Sequence, residues 1–592
     1  MEINKKIEKI RSFMKDDGLN AWIIYGSDPH NSEYVCPRWR TRNFVSGFSG
    51  SAGTVVITEK EALLWTDSRY FIQAAKQLSG TEYKLMKMGQ PSVLDYVTYL
   101  KTNKYIKKVG TSGDTLMKAV YTDLTENGIN IVPTRDYLDE IWEDREKVPN
   151  KPVKRMDDSI CGFSAKEKLE QIRKICKEKG VDNYLISSLD DIAWTLNFRG
   201  SDIDYNPVFL SYLLLLEDKT ILFADKVRFN DDDYDYLASF LTILPYSKIS
   251  EYLSNLPNNL KVILNEKKTN MLNFKSFPKD TEFFDMMDIT SELKTSKNSV
   301  EIEGMKKAHI ADGIAYAAFR SKLEKMKNLS EIDVQNLFAE ERAKQPFLKY
   351  LGPSFGPISA FSDHGPMCHY SATQESNSKI EGDGLLVLDT GGQYDCGMTD
   401  LTRTLLFGKA SEEEKKDYTL VLKGHLALSR IHFPEGTTGM QLDVLARQFL
   451  WKEGMTFTHG TGHGVGFHLC VHEGPAYITI GKTALYPMKE GVVISDEPGL
   501  YKENRHGIRI ENLIYVKKAE KTEFGQFYEF SDLTLIPYER DLIDINLLSE
   551  EEIKQINDYH SWVLDSLKEK VTEDGRKFLL KATKPLLKNS KL

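Results

Sequence analysis

The chain has 592 residues, 41% hydrophobic and 28% charged, with 78 basic against 87 acidic side chains and a net charge of −9. That balance excludes a nucleic-acid binder, which needs a basic face, and at roughly 150 residues per domain the length predicts about three or four domains. The longest apolar run, "FLSYLLLL" over 209–216, falls far short of a membrane span.

The chain begins "MEINKKIEKIRSFMKDDG", an amphipathic charged stretch without the apolar region of a signal peptide. It also opens a repeat. Ile7, Ile10, Arg11 and Gly18 match Leu169, Ile172, Arg173 and Gly180 at a constant offset of 162. Each copy reads as a helix ended by glycine and followed by a buried strand. Further on, "ALLWTDSRYF" answers "TILFADKVRF", with Asp67 against Asp225 and Phe71 against Phe229. Two related α/β domains in tandem are expected, over 1–156 and 157–296. Six cysteines are scattered with no CxxC pair, which predicts reduced thiols in a cytoplasm-like compartment.

A third domain is expected over 297–592, with a C-terminal extension from about 531. Asn298 followed by Glu301 has the spacing of a capping box. Ile302, Met305, Ala308, Ala311, Ala315 and Phe319 then recur at helical intervals. "GPSFG" over 352–356 satisfies G-x-S-x-G, but Pro353 and Pro357 surround the serine and "ISAFSDHGP" is not helical, so a nucleophile elbow is excluded. No HExxH helix is present. At the far end, Ser549 and Glu552 form a second capping box ahead of the stripe Ile553, Ile556, Val563 and Leu567, read as packing or interface.

The chemistry concentrates between these helices. "GLLVLDTGGQYDCGMTDLTRTLLF" reads as a β-hairpin with a buried strand over Leu385–Leu388, a turn-rich centre, and a strand that puts Asp400, Thr402 and Thr404 on one face. Asp389 and Asp400 can then face each other. Aspartate is disfavoured inside strands and two close carboxylates repel unless a positive charge separates them, so the pair reads either as turn caps, as Asp395 does, or as metal ligands. "GVVISDEPGLYKENRHGIRIENLIYV" repeats the pattern with Glu497 and Glu511, the latter sharing a strand face with Arg509. Between the two hairpins lies "FTHGTGHGVGFHLCVHEGP", which holds His459, His463, His468 and His472. Its glycines do not give GxGxxG and no Walker lysine follows. Four carboxylates and one neutral imidazole balance two divalent cations, and an oxygen-rich donor set suits hard ions such as Mn²⁺.

Asp389, Asp400, His463, Glu497 and Glu511 resemble the ligand set of the pita-bread metallopeptidases. The finer resemblance is to the long, three-domain Xaa-Pro aminopeptidases, and it covers essentially the whole chain, including "NFVSGFSGSAGTVV", "WTDSRYF" and "RGSDIDYNPVFLSY". None of the five ligand positions departs from the pattern. The resemblance implies an α/β (α+β) fold, with two tandem creatinase-N-like domains followed by a pita-bread catalytic domain. It implies two divalent metals, with Asp389 on one, His463 and Glu497 on the other, and Asp400 and Glu511 bridging. It implies hydrolysis of the N-terminal Xaa-Pro bond by a metal-bridged hydroxide. His369, His459, His472 and Arg509 are expected near the metals, with Glu497 also shuttling a proton, while His364 and His468 are read as structural or supporting. The glycines around His463 are expected to let the backbone approach metal or substrate, with positive φ. The expected partners are peptides with proline second and another copy of the chain in a homodimer, with no nucleic acid and no membrane. The competing readings are a prolidase, confined to dipeptides, and a metal-free binding relative.

Overall fold

The structure, a computed structural model, describes residues 1–588; positions 589–592 of the expected third domain lie outside the described residues. The chain divides into two compact units, 1–156 with 163–290, and 157–162 with 291 onward. Among the described residues no helix is long and apolar enough to cross a membrane.

In the first unit the sequence repeat is a repeat of topology. One six-stranded sheet runs, edge to edge, Tyr83–Lys87, Ala62–Thr66, Thr54–Thr58, Ala21–Tyr25, Val109–Ser112, Ile131–Thr134. The other runs Thr242–Leu244, Thr220–Phe223, Tyr212–Leu215, Asn183–Ile186, Lys261–Leu264, Glu282–Asp285, in the same chain order. In both, the strand that comes first in sequence pairs antiparallel on one side and parallel on the other. The preceding helices, Ile3–Asp16 and Ala165–Glu178, bury the matched residues Ile7 and Ile10, Leu169 and Ile172. The matched arginines share one task. Arg11 Nε donates to Thr58 O at 2.8 Å and Arg173 Nη1 to Leu216 O at 2.5 Å, each where the second strand ends.

The second unit opens on the helix Ser299–Leu323, whose capping box is formed as expected by Asn298 and Glu301. A three-stranded sheet (Ile358–Phe361, Gly384–Thr390, Leu401–Phe407) and a six-stranded sheet carry the chemistry-bearing segments. The six-stranded sheet runs His432–Pro434, Gly525–Asp532, Asn512–Thr522, Val493–Asp496, Gly462–Gly464, Glu473–Ile478. Phe319, Leu422 and Val563, from three different helices, share one apolar core with Leu386 and Leu388 of the first hairpin. The terminal stripe is therefore packing, with Val563 and Leu567 fully buried.

Both carboxylate hairpins are built alike. Gly384–Thr390 pairs antiparallel with Leu401–Phe407, and Val493–Asp496 with Asn512–Thr522. Each connection is itself a small hairpin, Gly392–Tyr394 with Gly397–Met398 and Gly499–Lys502 with His506–Arg509. "GIRIENLIYV" is accordingly not one strand. It breaks at Ile510–Glu511, because the Glu511 N–H turns to donate to Thr402 O at 3.1 Å and bridges the two hairpins. Arg403, fully buried, tightens that junction by donating to Thr402 O, Glu511 O and Asn512 Oδ1, and to Ile536 O of the C-terminal segment.

A buried ion pair fixes the width of the first hairpin. Arg342, from the helix Glu331–Lys344, binds Asp312 of the helix Ser299–Leu323 through two contacts, Nε–Oδ1 at 2.6 Å and Nη2–Oδ2 at 3.0 Å. Arg342 Nη1 also donates to Thr390 Oγ1 at 2.6 Å, and Asp312 Oδ2 accepts from Thr399 Oγ1 at 3.1 Å. Thr390 follows Asp389 and Thr399 precedes Asp400, so one pair grips both ends of the excursion between the two aspartates. Removing one partner of a buried pair leaves the other uncompensated. Asp312→Asn is expected to destabilise the second unit by about 3–5 kcal/mol in chemical denaturation, and Asp312→Asn with Arg342→Met to recover part of that loss. Equal stability of the single variant and the parent would contradict this role.

Candidate metal centre

The two hairpins bring Asp389, Asp400, Glu497 and Glu511 into one pocket, and the strand Gly462–Gly464 adds His463. His463 Nε2 lies 3.5 Å from Asp400 Oδ2 and 3.4 Å from Glu497 Oε1. Single ligand atoms of Asp400, His463 and Glu511 all lie within 4.8 Å of one another. His463 Nδ1 sits 3.0 Å from Gly464 O, which can only accept, so the proton is on Nδ1 and the Nε2 lone pair faces carboxylates. Two acceptor groups turned toward each other call for a cation between them, and an outer N–H anchored to a carbonyl is the usual posture of a metal-binding imidazole. Ser495 Oγ supports both residues, accepting from His463 N–H at 3.0 Å and donating to Glu497 Oε1 at 3.1 Å.

Asp389 is tied to the rest through Arg509. Arg509 Nη2 contacts Asp389 Oδ2 at 2.5 Å, Arg509 Nε donates to Thr402 Oγ1 at 3.2 Å, and Thr402 Oγ1 donates to Glu511 Oε2 at 2.7 Å. The other oxygen, Asp389 Oδ1, is buried without a hydrogen-bond partner. Burial, then repulsion from Asp389 and Glu497, pushes Asp400 well above the carboxylate range. Glu511 is raised in the same way, by burial and then by Asp400, Glu497 and Asp389. Burial pushes Glu497 up to about 7, with Arg509 opposing and Asp389 adding. Added positive charge would relieve these shifts. The carboxylates are too many and too buried to ionise together without added positive charge, and the orphaned Asp389 oxygen fits the same deficit. The donor set, four carboxylates and an imidazole, fits hard divalent ions.

The glycines work differently from the expectation. None of Gly460, Gly462, Gly464 and Gly466 has positive φ. A Cβ on Gly462 would lie 2.0 Å from Ser495 O, and one on Gly464 would lie 2.2 Å from Glu473 O. Their bareness lets this strand pack tightly between its neighbours, and so sets His463 against the second hairpin.

The remaining histidines separate into two groups. His459 is committed inside the protein, with Nδ1 2.8 Å from Gly460 O and Nε2 2.8 Å from Tyr501 OH, which also accepts from Arg509 Nη1 at 2.7 Å. Burial, and then Arg509, push its pKa down to about 3, so it is neutral. His369 and His472 are exposed. The His472 ring stands edge-on to His463, with centroids 4.3 Å apart. Its neighbour Glu473 is fixed by two buried lysines, Lys297 at 2.5 Å and Lys294 at 3.2 Å. His468 Nδ1 meets Gln393 Oε1 at 2.9 Å and His364 Nδ1 meets Glu331 Oε1 at 2.8 Å, both outside the carboxylate cluster. Sequence reading passed over Thr402, Ser495 and Tyr501. Thr402 alone carried a signal, its alternation with Asp400 on one strand face.

Residues 303–518 match the family description "Metallopeptidase family M24", and 526–586 match "C-terminal region of peptidase_M24". Two segments, 6–141 and 144–301, each match a creatinase/prolidase N-terminal domain. Xaa-Pro aminopeptidase 1 of Dictyostelium discoideum is 37% identical over 94% of this chain and 92% of its own length. A probable Xaa-Pro aminopeptidase P of Coprinopsis cinerea is 36% identical over 99% of each chain. The crystal structure of the X-prolyl aminopeptidase of Caenorhabditis elegans, described as a cytosolic enzyme with a di-nuclear active site, superimposes with a TM-score of 0.92 at 33% identity, covering 99% of this chain and 100% of that one. The prolidase of Pyrococcus horikoshii shares the fold over 64% of this chain, at 23% identity and a TM-score of 0.50. From the duplicated α/β halves through the paired carboxylate hairpins to the C-terminal segment, the chain belongs to metallopeptidase family M24, with creatinase/prolidase N-terminal domains.

Proposed function

We propose that the protein is an aminopeptidase that removes the first residue of peptides with proline second, using two divalent ions, most simply Mn²⁺. The observation that carries this reading is the convergence of Asp389, Asp400, His463, Glu497 and Glu511, with His463 Nε2 3.5 Å from Asp400 and 3.4 Å from Glu497, Glu511 in the same cluster, and Arg509 tying in Asp389. End-to-end similarity to proteins named Xaa-Pro aminopeptidase supplies the substrate class. We assign Asp389 to one ion, His463 and Glu497 to the other, and Asp400 and Glu511 to both. When bound, such a pair polarises a carbonyl and brings the pKa of a water toward neutrality.

The other proposed parts belong to the chain. Arg509 holds Asp389 and, through Thr402, Glu511. His459 keeps Tyr501 against Arg509, both of its nitrogens being occupied. His369 and His472, at the exposed mouth, donate to the scissile carbonyl as charge builds on its oxygen. Glu497 carries a proton to the departing proline nitrogen. The bond before proline is a tertiary amide with no N–H, so a site that relies on no such donor is required. We further propose domain limits of 1–156, 157–296 and 297–592, a homodimer, and a cytoplasm-like setting, to which the six free cysteines are suited.

Asp400→Ala is expected to abolish turnover and reduce bound metal while the fold survives; a variant with parental activity and metal content would remove Asp400 from the ligand set. His369→Ala and His472→Ala should keep their metal and lose about 10²–10³ in kcat, the usual cost of one oxyanion donor. Metal loss in either would reassign that histidine. The pH dependence has a definite sign. Glu497 binds its proton more tightly folded than unfolded, up to about 7 from 4.5, so the metal-free protein loses stability as pH rises through that window. Bound cations cancel the penalty, so the metal-induced rise in unfolding temperature should grow between those pH values. A rise independent of pH would mean that the carboxylates are not the ligands. Finally, Xaa-Pro-Yaa peptides should be cleaved after the first residue, and Xaa-Ala-Yaa far more slowly. Brisk cleavage of Gly-Pro with Gly-Pro-Yaa untouched would make the protein a prolidase.

A further inference from the structure

The first unit carries a crevice remote in sequence from the metal centre. It opens where the first sheet changes direction. Ala21–Tyr25 and Val109–Ser112 lie side by side and parallel, but the chain leaves the former toward one edge and returns to build the other. In open α/β sheets the carboxyl ends of two such strands are where ligands bind. Here the crevice, about 350 Å³, is lined by Tyr25, Gly26 and Ser27 beyond one strand and by Thr115 beyond the other, a volume at the small-molecule end of natural pockets.

Its charge is one-sided. No aspartate or glutamate lines it, whereas Arg42 and Lys267 both do. Arg42 is 8% exposed, yet among the described residues no carboxylate pairs with it. Its Nη atoms donate to the backbone carbonyls of Gly50 and Gly53, and its Nε is buried without a partner. The guanidinium lies against Gly26, where a Cβ would come within 1.9 Å of Nη1. Burial pushes the Arg42 pKa down to about 10, the opposing influence being the Tyr70 phenol. A buried cation without a counter-charge is costly. Lys267, at the exposed rim, adds a second positive charge and makes no ion pair among the described residues.

We propose that this crevice is a binding site for a small oxyanion, the carboxylate or phosphate group of a small molecule, held by Arg42 and Lys267. The bound anion supplies the counter-charge that the fold omits, with Ser27 and Thr115 on the polar walls. The site is independent of peptide hydrolysis and of the metal centre.

The test uses the metal-loaded full chain, with sulfate as probe against chloride at equal ionic strength. Hydrogen exchange is followed at 26–31, 42–53 and 115–120. An anion at ten times its dissociation constant slows exchange through local opening about ten-fold. That slowing is expected in the parent and lost in Lys267→Glu, whose exposed position leaves the fold intact. Repeating the titration with acetate and with inorganic phosphate separates the two oxyanion chemistries. Equal exchange in sulfate and chloride, or undiminished protection in Lys267→Glu, would overturn the proposal.

Discussion

Four carboxylates forced into one buried pocket repel one another, and the second unit is organised around holding them there. Nothing local would keep the four together, since burial and repulsion from neighbouring carboxylates oppose the ionised forms of Asp400, Glu497 and Glu511. The restraint is mechanical. Each pair sits at the ends of a small hairpin inserted between two paired strands, so the separation of the carboxylates is set by backbone registers. Buried arginines then lock those registers. Arg342 and Asp312 close the first excursion, Arg403 staples the backbone of Glu511 to Thr402, and only Arg509 touches a carboxylate of the cluster. Of these arginines, Arg342 is neutralised by Asp312 outside the cluster and Arg403 is spent on carbonyls and an amide, which leaves Arg509 to face the cluster. Two divalent ions would neutralise the four carboxylates and leave the charge of Arg509 in surplus, which suits negative charge developing on a substrate carbonyl.

The four carboxylates stood out in sequence because their placement violates local rules, whereas the choice of His463 among four histidines rested on the family resemblance. Aspartate at a strand end, repeated with glutamate in a second strand–turn–strand pattern, has no structural purpose strong enough to explain both. The tandem repeat was legible too, since Arg11 and Arg173 recur with the same apolar partners. What escaped was long-range. Thr390 to Asp400 reads as turn because of its glycines, yet its two short strands pair with each other, and Gly392–Tyr394 pairs also with the distant Tyr350–Pro353. The break at Ile510–Glu511 was hidden by unbroken alternation and is imposed by Thr402, more than a hundred residues earlier. Asp312 and Arg342 sit on ordinary helices, and Tyr501 on a turn-rich stretch, where no local pattern marks a residue whose partner is distant. The glycines near His463 were expected to take positive φ and do not; at Gly462 and Gly464 it is close approach of strand to strand that a Cβ would prevent, a mark that sequence alone does not distinguish from close approach to a ligand.

The histidines illustrate how one segment divides its labour. His463 turns its Nε2 lone pair toward the carboxylates, His459 is sealed by Gly460 and Tyr501, and the exposed His472 has its backbone steadied through Glu473 by Lys294 and Lys297. Burial decides these parts. The sealed ring is neutral, whereas His369 and His472 are exposed to solvent. The C-terminal segment belongs to the same design, because Arg403 reaches Ile536 O with the group that binds Glu511 O.

The central claim is that the carboxylate cluster is completed by two cations. Metal analysis by mass spectrometry of the full chain, purified without chelator and passed through metal-free buffer, tests it most directly. The account predicts about two divalent ions per chain, both released by a chelator. A chain that keeps no metal while remaining folded would contradict it.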